Sequence, residues 1–423
     1  MDKKIFDELR SELVDCILPY WTEHAKDTST GGFYGAISNT NVPNQKEWRG
    51  IVMVSRFLWT YSAAARFLSD ESYMEMADYA HAYMMKNFHD PYYGGMYWSV
   101  NADGTILSDK KQTFGNAYAI YALSEYAAAI KEIRGEDEVA ENVMGQALSV
   151  FSMLEKHASD EEFGGYFEAL NRDWSETEDT KLSEKDIDCS KSMNTNLHVM
   201  EAYTNLYRTL PSVCPDKKNE RKDVGKALGS LLQIHLSRIL AKTYHLVPYF
   251  DRDWTPTGPR ESCFGHDIEA SWLLWDAANE LKNIELKKKV KPVVIRMAQL
   301  SLLDGFDPNT GGFDYSADED GIKDTTRIWW TQAEAINGFY NAWEMTWDSS
   351  FEEAVEKIWE WVKKYQKNIE HGEWYWAVSD KGKPAKREPK GGNWKTCYHN
   401  ARCCMELLRR YRAKNDTEST SES

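Results

Sequence analysis

Gly31-Gly32-Phe33-Tyr34, Gly94-Gly95-Met96-Tyr97-Trp98, Gly164-Gly165-Tyr166-Phe167 and Gly311-Gly312-Phe313-Asp314-Tyr315 are four copies of one event, a glycine pair followed by aromatics. They recur about every 70 residues, and the gap between the third and fourth is about twice the others. In the middle of that gap lies Tyr244-His245-Leu246-Val247-Pro248-Tyr249-Phe250-Asp251, an aromatic stretch without the glycines, and a worn copy follows at Gly372-Glu373-Trp374-Tyr375-Trp376. Six units result. A period of this length, each copy carrying two helical segments, is the signature of a closed helical toroid or a solenoid.

Working outward, the segment 50–68 is apolar almost all round, as a helix buried on most sides must be. The segment 72–87 mixes Glu75, Asp78 and Lys86 with Met76, Ala80 and Met84, an ordinary amphipathic outer helix. The same order recurs as inner 113–131 with outer 137–157, inner 192–210 with outer 223–240, and inner 268–281 with outer 286–303. It continues as inner 328–343 with outer 351–367 and inner 400–411, for which the N-terminal helix 4–21 supplies the outer partner. The expected fold is therefore all-α, an (α/α)6 barrel with short β-hairpins between the helix pairs. It forms one domain over 1–412, and the segment 413–423 reads as a disordered polar tail. An open superhelix would need polar capping repeats that the sequence lacks.

Composition narrows the function. The formal charge of −16 argues against nucleic acid, which calls for a basic face. No run of 18 apolar residues offers a membrane span, and the first ten residues carry charges where a signal peptide needs an apolar core. Seven cysteines without a C-x-x-C pair read as free thiols of a reducing cytoplasm, and a monomer is expected. The 17 Trp and 23 Tyr exceed what a core needs; such rings favour places with one apolar and one wet side.

A second periodicity coincides with the first. Arg56, Tyr118, Asn194 with His198, His266 with Glu269, Trp330 with Glu334, and His399 all fall in the opening turns of inner helices. Parallel inner helices bring those turns to one rim, so the scattered positions converge on one pocket. His266, with Gly265 as the cap, lies in a first helical turn, where the macrodipole favours a neutral ring ready to take a proton. Glu269, three residues on, can hold one ring nitrogen; the competing reading is a core histidine satisfied by its neighbour. His399 enters another inner helix at the same rim, and His198 forms an i, i+4 pair with Asn194. Three histidines could bind zinc, but no H-E-x-x-H spacing is present. Cys397 lacks a glycine-rich nucleophile turn and reads as a buried bystander. Arg56 interrupts an apolar face, which is costly unless it holds an anion, a developing negative charge or a structural carboxylate. Trp330, Trp394 and Tyr118 offer a stacking floor for a sugar ring, or ordinary core packing.

The stretches Gly265-His266-Asp267-Ile268-Glu269-Ala270, Arg327-Ile328-Trp329-Trp330-Thr331-Gln332-Ala333-Glu334-Ala335 and Tyr398-His399-Asn400-Ala401-Arg402 resemble the cellobiose 2-epimerases of the N-acylglucosamine 2-epimerase superfamily. The likeness begins at Gly31 and continues through Ser55-Arg56, Asn116-Ala117-Tyr118 and Met193-Asn194-Thr195-Asn196-Leu197-His198. It implies an (α/α)6 barrel without cofactor or metal that inverts C2 of the reducing-end sugar of β-1,4-linked disaccharides. By the same resemblance His266 and His399 are the acid–base pair, Glu269 supports His266, and Arg56 stabilises developing charge. Tyr118, Asn194, His198, Trp330, Glu334 and Trp394 then line the reducing-sugar site. The polar segment 173–190 matches no pattern; it is expected at the rim that accepts the second sugar, with Asp188 in contact with substrate.

The implied chemistry is ring opening, loss of the C2 proton to one histidine, a cis-enediolate, and return of a proton from the other. A mannobiose 2-epimerase or an aldose–ketose isomerase would share the parts. An (α/α)6 glycoside hydrolase would instead need paired carboxylates about 6.5–9.5 Å apart for inversion. Asp251, Asp253 and Asp318 to Asp320 offer carboxylates, but on hairpin loops rather than at the inner-helix rim.

Overall fold

The computed structural model describes residues 1–421, with side chains up to residue 414. Six helices, Ile51–Leu68, Thr113–Ala129, Met193–Val213, Phe264–Glu280, Trp329–Thr346 and Tyr398–Ser421, form an inner ring. Each packs on the next and the last packs on the first, so the ring closes as an (α/α)6 barrel. Their sequences explain their place: every residue of Thr113–Ala129 is buried, which an amphipathic helix could not tolerate. The outer helices Met74–Asn87, Asp137–Met153, Lys218–Ile234, Ile284–Asp304 and Ser349–Trp361 pack against the inner helices that precede them. Lys3–Ser11 packs against the last inner helix, as expected of an N-terminal segment that completes the ring. That last helix runs on to Ser421, through most of the segment expected as an unpacked tail, and Lys414 lies over the rings of Trp343 and Trp347. Residues 422 and 423 lie outside the described residues.

The glycine motifs do form hairpins, but minimal ones, each closed by a single bridge: Lys26 to Phe33, His89 to Met96, Ser159 to Tyr166, Phe306 to Phe313 and Lys367 to Trp374, and the glycine-free copy is closed in the same way by Leu240 to Leu246. The two-residue strands serve another purpose. Each strand leading into an inner helix pairs with a strand of the following unit: Arg49–Gly50 with Ser99–Val100, Lys111–Gln112 with Ala169–Leu170, Lys191–Ser192 with Tyr249–Phe250. The series continues with Ser262–Cys263 on Ser316–Ala317 and Arg327–Ile328 on Ala377–Val378. Gly391–Gly392 on Ala36–Ile37 closes the circle. Hydrogen bonds between repeats thus fix the loop layer from which the inner helices enter the rim.

Two further devices lock that layer. An aspartate four residues before the first glycine of each well-formed pair (Asp27, Asp90, Asp160, Asp307) caps its turn and meets a buried cation, respectively Arg49, Lys111, Lys191 and Arg327. Lys111 and Asp90 are both fully buried, 2.9 Å apart, and Asp90 also accepts from the N–H of Tyr92 at 3.0 Å. An inner-helix side chain then grips the glycine loop. Asn116 accepts from the N–H of Met96 at 2.8 Å, Asn196 from Tyr166 at 2.9 Å, Asp267 from Leu246 at 2.8 Å and Gln332 from Phe313 at 2.9 Å. In the worn copy Glu373 takes the left-handed φ of 61° that glycine holds elsewhere. That strain is offset by 2.8 Å bonds to Glu373 from Trp21, Lys395 and Asn400.

Candidate active site

The opening turns of the inner helices surround a cavity of about 560 Å³. Arg56 comes from the first helix, Phe114 from the second, Asn194 and His198 from the third, His266 and Glu269 from the fourth, and Trp329 and Trp330 from the fifth. His399 comes from the sixth helix and Trp394 from the loop before it; residues 182–186, Tyr315, Asp324, Ile328 and Trp376 complete the wall. The convergence expected from the repeat is therefore real. Gly265, expected as the cap of its helix, instead lies inside the first turn, and Cys263 occupies the cap. Glycine is required there because a Cβ would sit 2.7 Å from the Trp330 ring.

His266 and His399 share Trp330 as a neighbour, with ring centroids 4.9 and 5.7 Å from the indole. His399 places Nδ1 2.7 Å from the Glu334 carboxylate, so Nδ1–H donates there and Nε2 is left as the base. His198 is fixed the same way by Glu201 at 2.6 Å, and its Nδ1 also lies 3.3 Å from the Tyr118 hydroxyl. Arg56 donates to the Tyr118 hydroxyl at 3.0 Å and to the Trp394 carbonyl at 2.5 Å, its guanidinium lying over the rings of Tyr118 and Tyr398. Burial and the neighbouring imidazoles of His198 and His399 hold His266 down to about 3. Burial likewise holds His399 down to about 3, against the pull of Glu334 and with Arg56 opposing a further positive charge. Both rings are neutral at pH 7. Sequence reasoning expected a neutral His266 from its place in a first helical turn; the chief cause of neutrality in both rings is burial.

Beneath the histidines lies a charged hub that sequence reasoning missed. Arg402, 1% exposed, donates to Glu201, to Glu269 at 2.8 Å and to Glu334 at 2.7 Å. It ties the carboxylate behind His198 to the one behind His399. This corrects the role expected of Glu269: its carboxyl group bonds Arg402, not His266. The sequence carries His-x-x-Glu twice, at His266/Glu269 and at His198/Glu201, and only the second pair bonds. Spacing alone could not tell them apart. Arg402 stood in the quoted stretch Tyr398 to Arg402, and a cation amid Ala401, Cys403 and Cys404 on a buried helix was the available signal.

Tyr118 and Glu334, expected in contact with substrate, are 2% and 0% exposed and stand one layer back, orienting Arg56 and His399. Asp188, expected at the substrate, turns away instead: it accepts from the Thr180 N–H at 3.0 Å, pairs with Lys181 at 3.3 Å and does not line the cavity. Asp186, two residues earlier, does line it, held by the hydroxyls of Ser183 at 2.6 Å and Tyr249 at 3.0 Å. Asp251, Asp253, Asp318, Glu319 and Asp320 lie outside the cavity wall. Glu269, Glu334 and His399 offer three ligand atoms within 4.8 Å of one another. Arg402 already bridges both carboxylates, so a divalent cation there would have to displace a buried guanidinium.

The surroundings match known proteins over nearly the whole chain. The family model for N-acylglucosamine 2-epimerase (GlcNAc 2-epimerase) matches residues 32–403. A cellobiose 2-epimerase of Bacteroides fragilis is 40% identical over 410 residues, 96% of this chain and 100% of its own. The structure of cellobiose 2-epimerase from Bacillus thermoamylovorans superposes with a TM-score of 0.87 at 34% identity, over 97% of this chain and 100% of that one. A D-mannose isomerase, at 18% identity and a TM-score of 0.80, shares the fold. Among the described residues no helix is long and apolar enough to cross a membrane. The chain belongs to the N-acylglucosamine 2-epimerase family, in its cellobiose 2-epimerase group.

Proposed function

We propose that this enzyme inverts C2 of the reducing-end sugar of β-1,4-linked disaccharides, with His266 and His399 exchanging the proton at that carbon. The observation that carries the reading is two neutral imidazoles against one indole in a cavity lined by aromatic rings. A sugar ring lying on Trp330 would be flanked by both. Ring opening exposes an aldehyde at C1 and makes the C2 proton acidic. One histidine removes it, and Arg56, held in the cavity wall by Tyr118 and the Trp394 carbonyl, stabilises the cis-enediolate oxygen. The other histidine returns a proton to the opposite face. Proton transfer by a positioned side chain typically contributes 10²–10⁴-fold. The second sugar lies toward residues 182–186 and Trp376.

The similarity to cellobiose 2-epimerases supports the substrate class. The test is proton NMR of the enzyme with cellobiose, and separately with β-1,4-mannobiose, in D2O containing EDTA. The C2 epimer is expected with deuterium at C2, and the faster substrate names the preference. A ketose product would assign the isomerase reaction instead, and free monosaccharides would assign hydrolysis.

A further inference from the structure

The epimerisation just described, on which this inference rests, needs one more proton than the site's histidines carry. One histidine must act as an acid while the other acts as a base, yet both rings are neutral. The hub beneath them has protons to spare. Three carboxylates, Glu201, Glu269 and Glu334, surround the single guanidinium of Arg402, so full ionisation would bury two uncompensated negative charges.

Donor counting decides which carboxylate stays neutral. Glu201 accepts from Arg402, from the Tyr398 hydroxyl at 2.6 Å and from His198 at 2.6 Å. Glu334 accepts from Arg402 at 2.7 Å, from His399 at 2.7 Å and from the Trp272 indole N–H at 3.0 Å. Glu269 accepts only from Arg402, at 2.8 Å, among the described residues, and it alone of the three lines the cavity. Hydrogen bonds to the charged form favour that form, so the carboxylate with one donor is the one that keeps a proton.

We propose that Glu269 is a catalytic acid of this enzyme: it enters the cycle as a carboxylic acid, gives its proton to the ring oxygen as the sugar opens, and recovers it on closure. The protons then balance. As the C1–O5 bond breaks, O5 takes the Glu269 proton, a histidine takes the O1 proton, and the O1 electron pair forms the carbonyl. Glu269 is now a carboxylate and that histidine an imidazolium. The second histidine removes the C2 proton, and the first delivers its own to the opposite face of C2. On closure the second histidine protonates O1 and the O5 proton returns to Glu269, leaving both rings neutral. In agreement, burial and the charge of Glu334 raise Glu269 well above the usual carboxylate range, while Arg402 and the bonded histidines hold Glu201 and Glu334 below it despite burial. The charged and titratable groups around Glu269 include Arg402, Glu201 and Glu334 in the hub, His266 on its own helix, Tyr118, and Arg56, His198 and His399 across the cavity.

The test compares wild type with Glu269→Gln, which keeps the shape and the acceptor for Arg402 but has no proton to give. Two readouts are taken: the infrared difference spectrum at pH 7, and enzyme-accelerated exchange between the cellobiose anomers by saturation-transfer NMR. The expected result is a protonated-carboxyl band in wild type that is lost in the variant, with anomer exchange slowed at least 100-fold and KM within about threefold. Glu269→Asp, which retains an acid, should stay within about tenfold of wild type, and it serves alone if the glutamine variant does not fold. Absence of the band, anomer exchange within threefold of wild type in Glu269→Gln, or failure of Glu269→Asp to exchange anomers overturns the proposal. Wild type that shows the band and exchanges anomers without placing deuterium at C2 would refute the epimerase reading and leave this acid assigned.

Discussion

Glu334→Gln separates a working carboxylate from a structural one. Glu334 accepts the Nδ1–H of His399 at 2.7 Å, so it fixes the base tautomer and faces the positive charge that forms as His399 takes a proton. Two unit charges about 4 Å apart at an effective dielectric of about 20 attract by about 4 kcal/mol. With half or all of that charge developed at the transition state, the loss is about 2–4 kcal/mol, or roughly 30- to 1000-fold in kcat. KM should move by no more than about threefold, because Glu334 does not line the cavity. Stability should hardly change. Arg402 keeps its bonds to Glu201 and Glu269, and the glutamine keeps an acceptor oxygen for it. The assay is initial-rate epimerisation followed by NMR, with thermal unfolding of the same preparation. A kcat within threefold of wild type, or a drop in Tm of ten degrees or so with kcat per folded molecule intact, would refute the assignment of Glu334 to orienting His399.

Other expectations follow from the same geometry. Gly265→Ala puts a methyl 2.7 Å from the Trp330 ring and 2.6 Å from the Thr331 methyl, so one of them must shift; kcat/KM should fall at least about tenfold, and urea unfolding should show an overpacking loss of about 1–3 kcal/mol. Lys111→Met strands the buried Asp90, which keeps Arg172 as a cation; urea unfolding should show a loss of about 3 kcal/mol, the low end for a broken buried pair. Because His266 and His399 are held down to about 3, protonation should not silence them at mild acidity. kcat/KM should stay flat as pH falls from 7 through the ordinary histidine value of about 6.5 to about 5. A midpoint near 6.5 in the pH–rate profile would contradict the burial argument.

The architecture was legible because a repeat multiplies weak signals. One Gly-Gly-aromatic stretch is only a turn, but its recurrence beside two helical segments fixes the ring, and the ring carries Arg56, His198, His266 and His399 to one cavity. What stayed hidden depends on contacts between repeats. The two-residue strands are too short to read, and their partners lie one unit on. The Asp90–Lys111 type of lock pairs residues about twenty to thirty apart that look like surface charges in the sequence. Arg402 and Glu201 are 201 residues apart, so neither predicts the other. Asp188 lies within a segment free of any periodic pattern, where the two residues that separate it from the cavity-lining Asp186 cannot be resolved without the backbone bond from Thr180.

The central claim is proton exchange at C2 between two histidines, and its most direct test is deuterium incorporation by wild type, His266→Ala and His399→Ala incubated with cellobiose in D2O containing EDTA. The account predicts the C2 epimer carrying deuterium at C2 with wild type, undiminished by the chelator, and loss of epimer in both variants. Epimer formed without deuterium at C2, or formed by either variant at more than about a tenth of the wild-type rate, would contradict it.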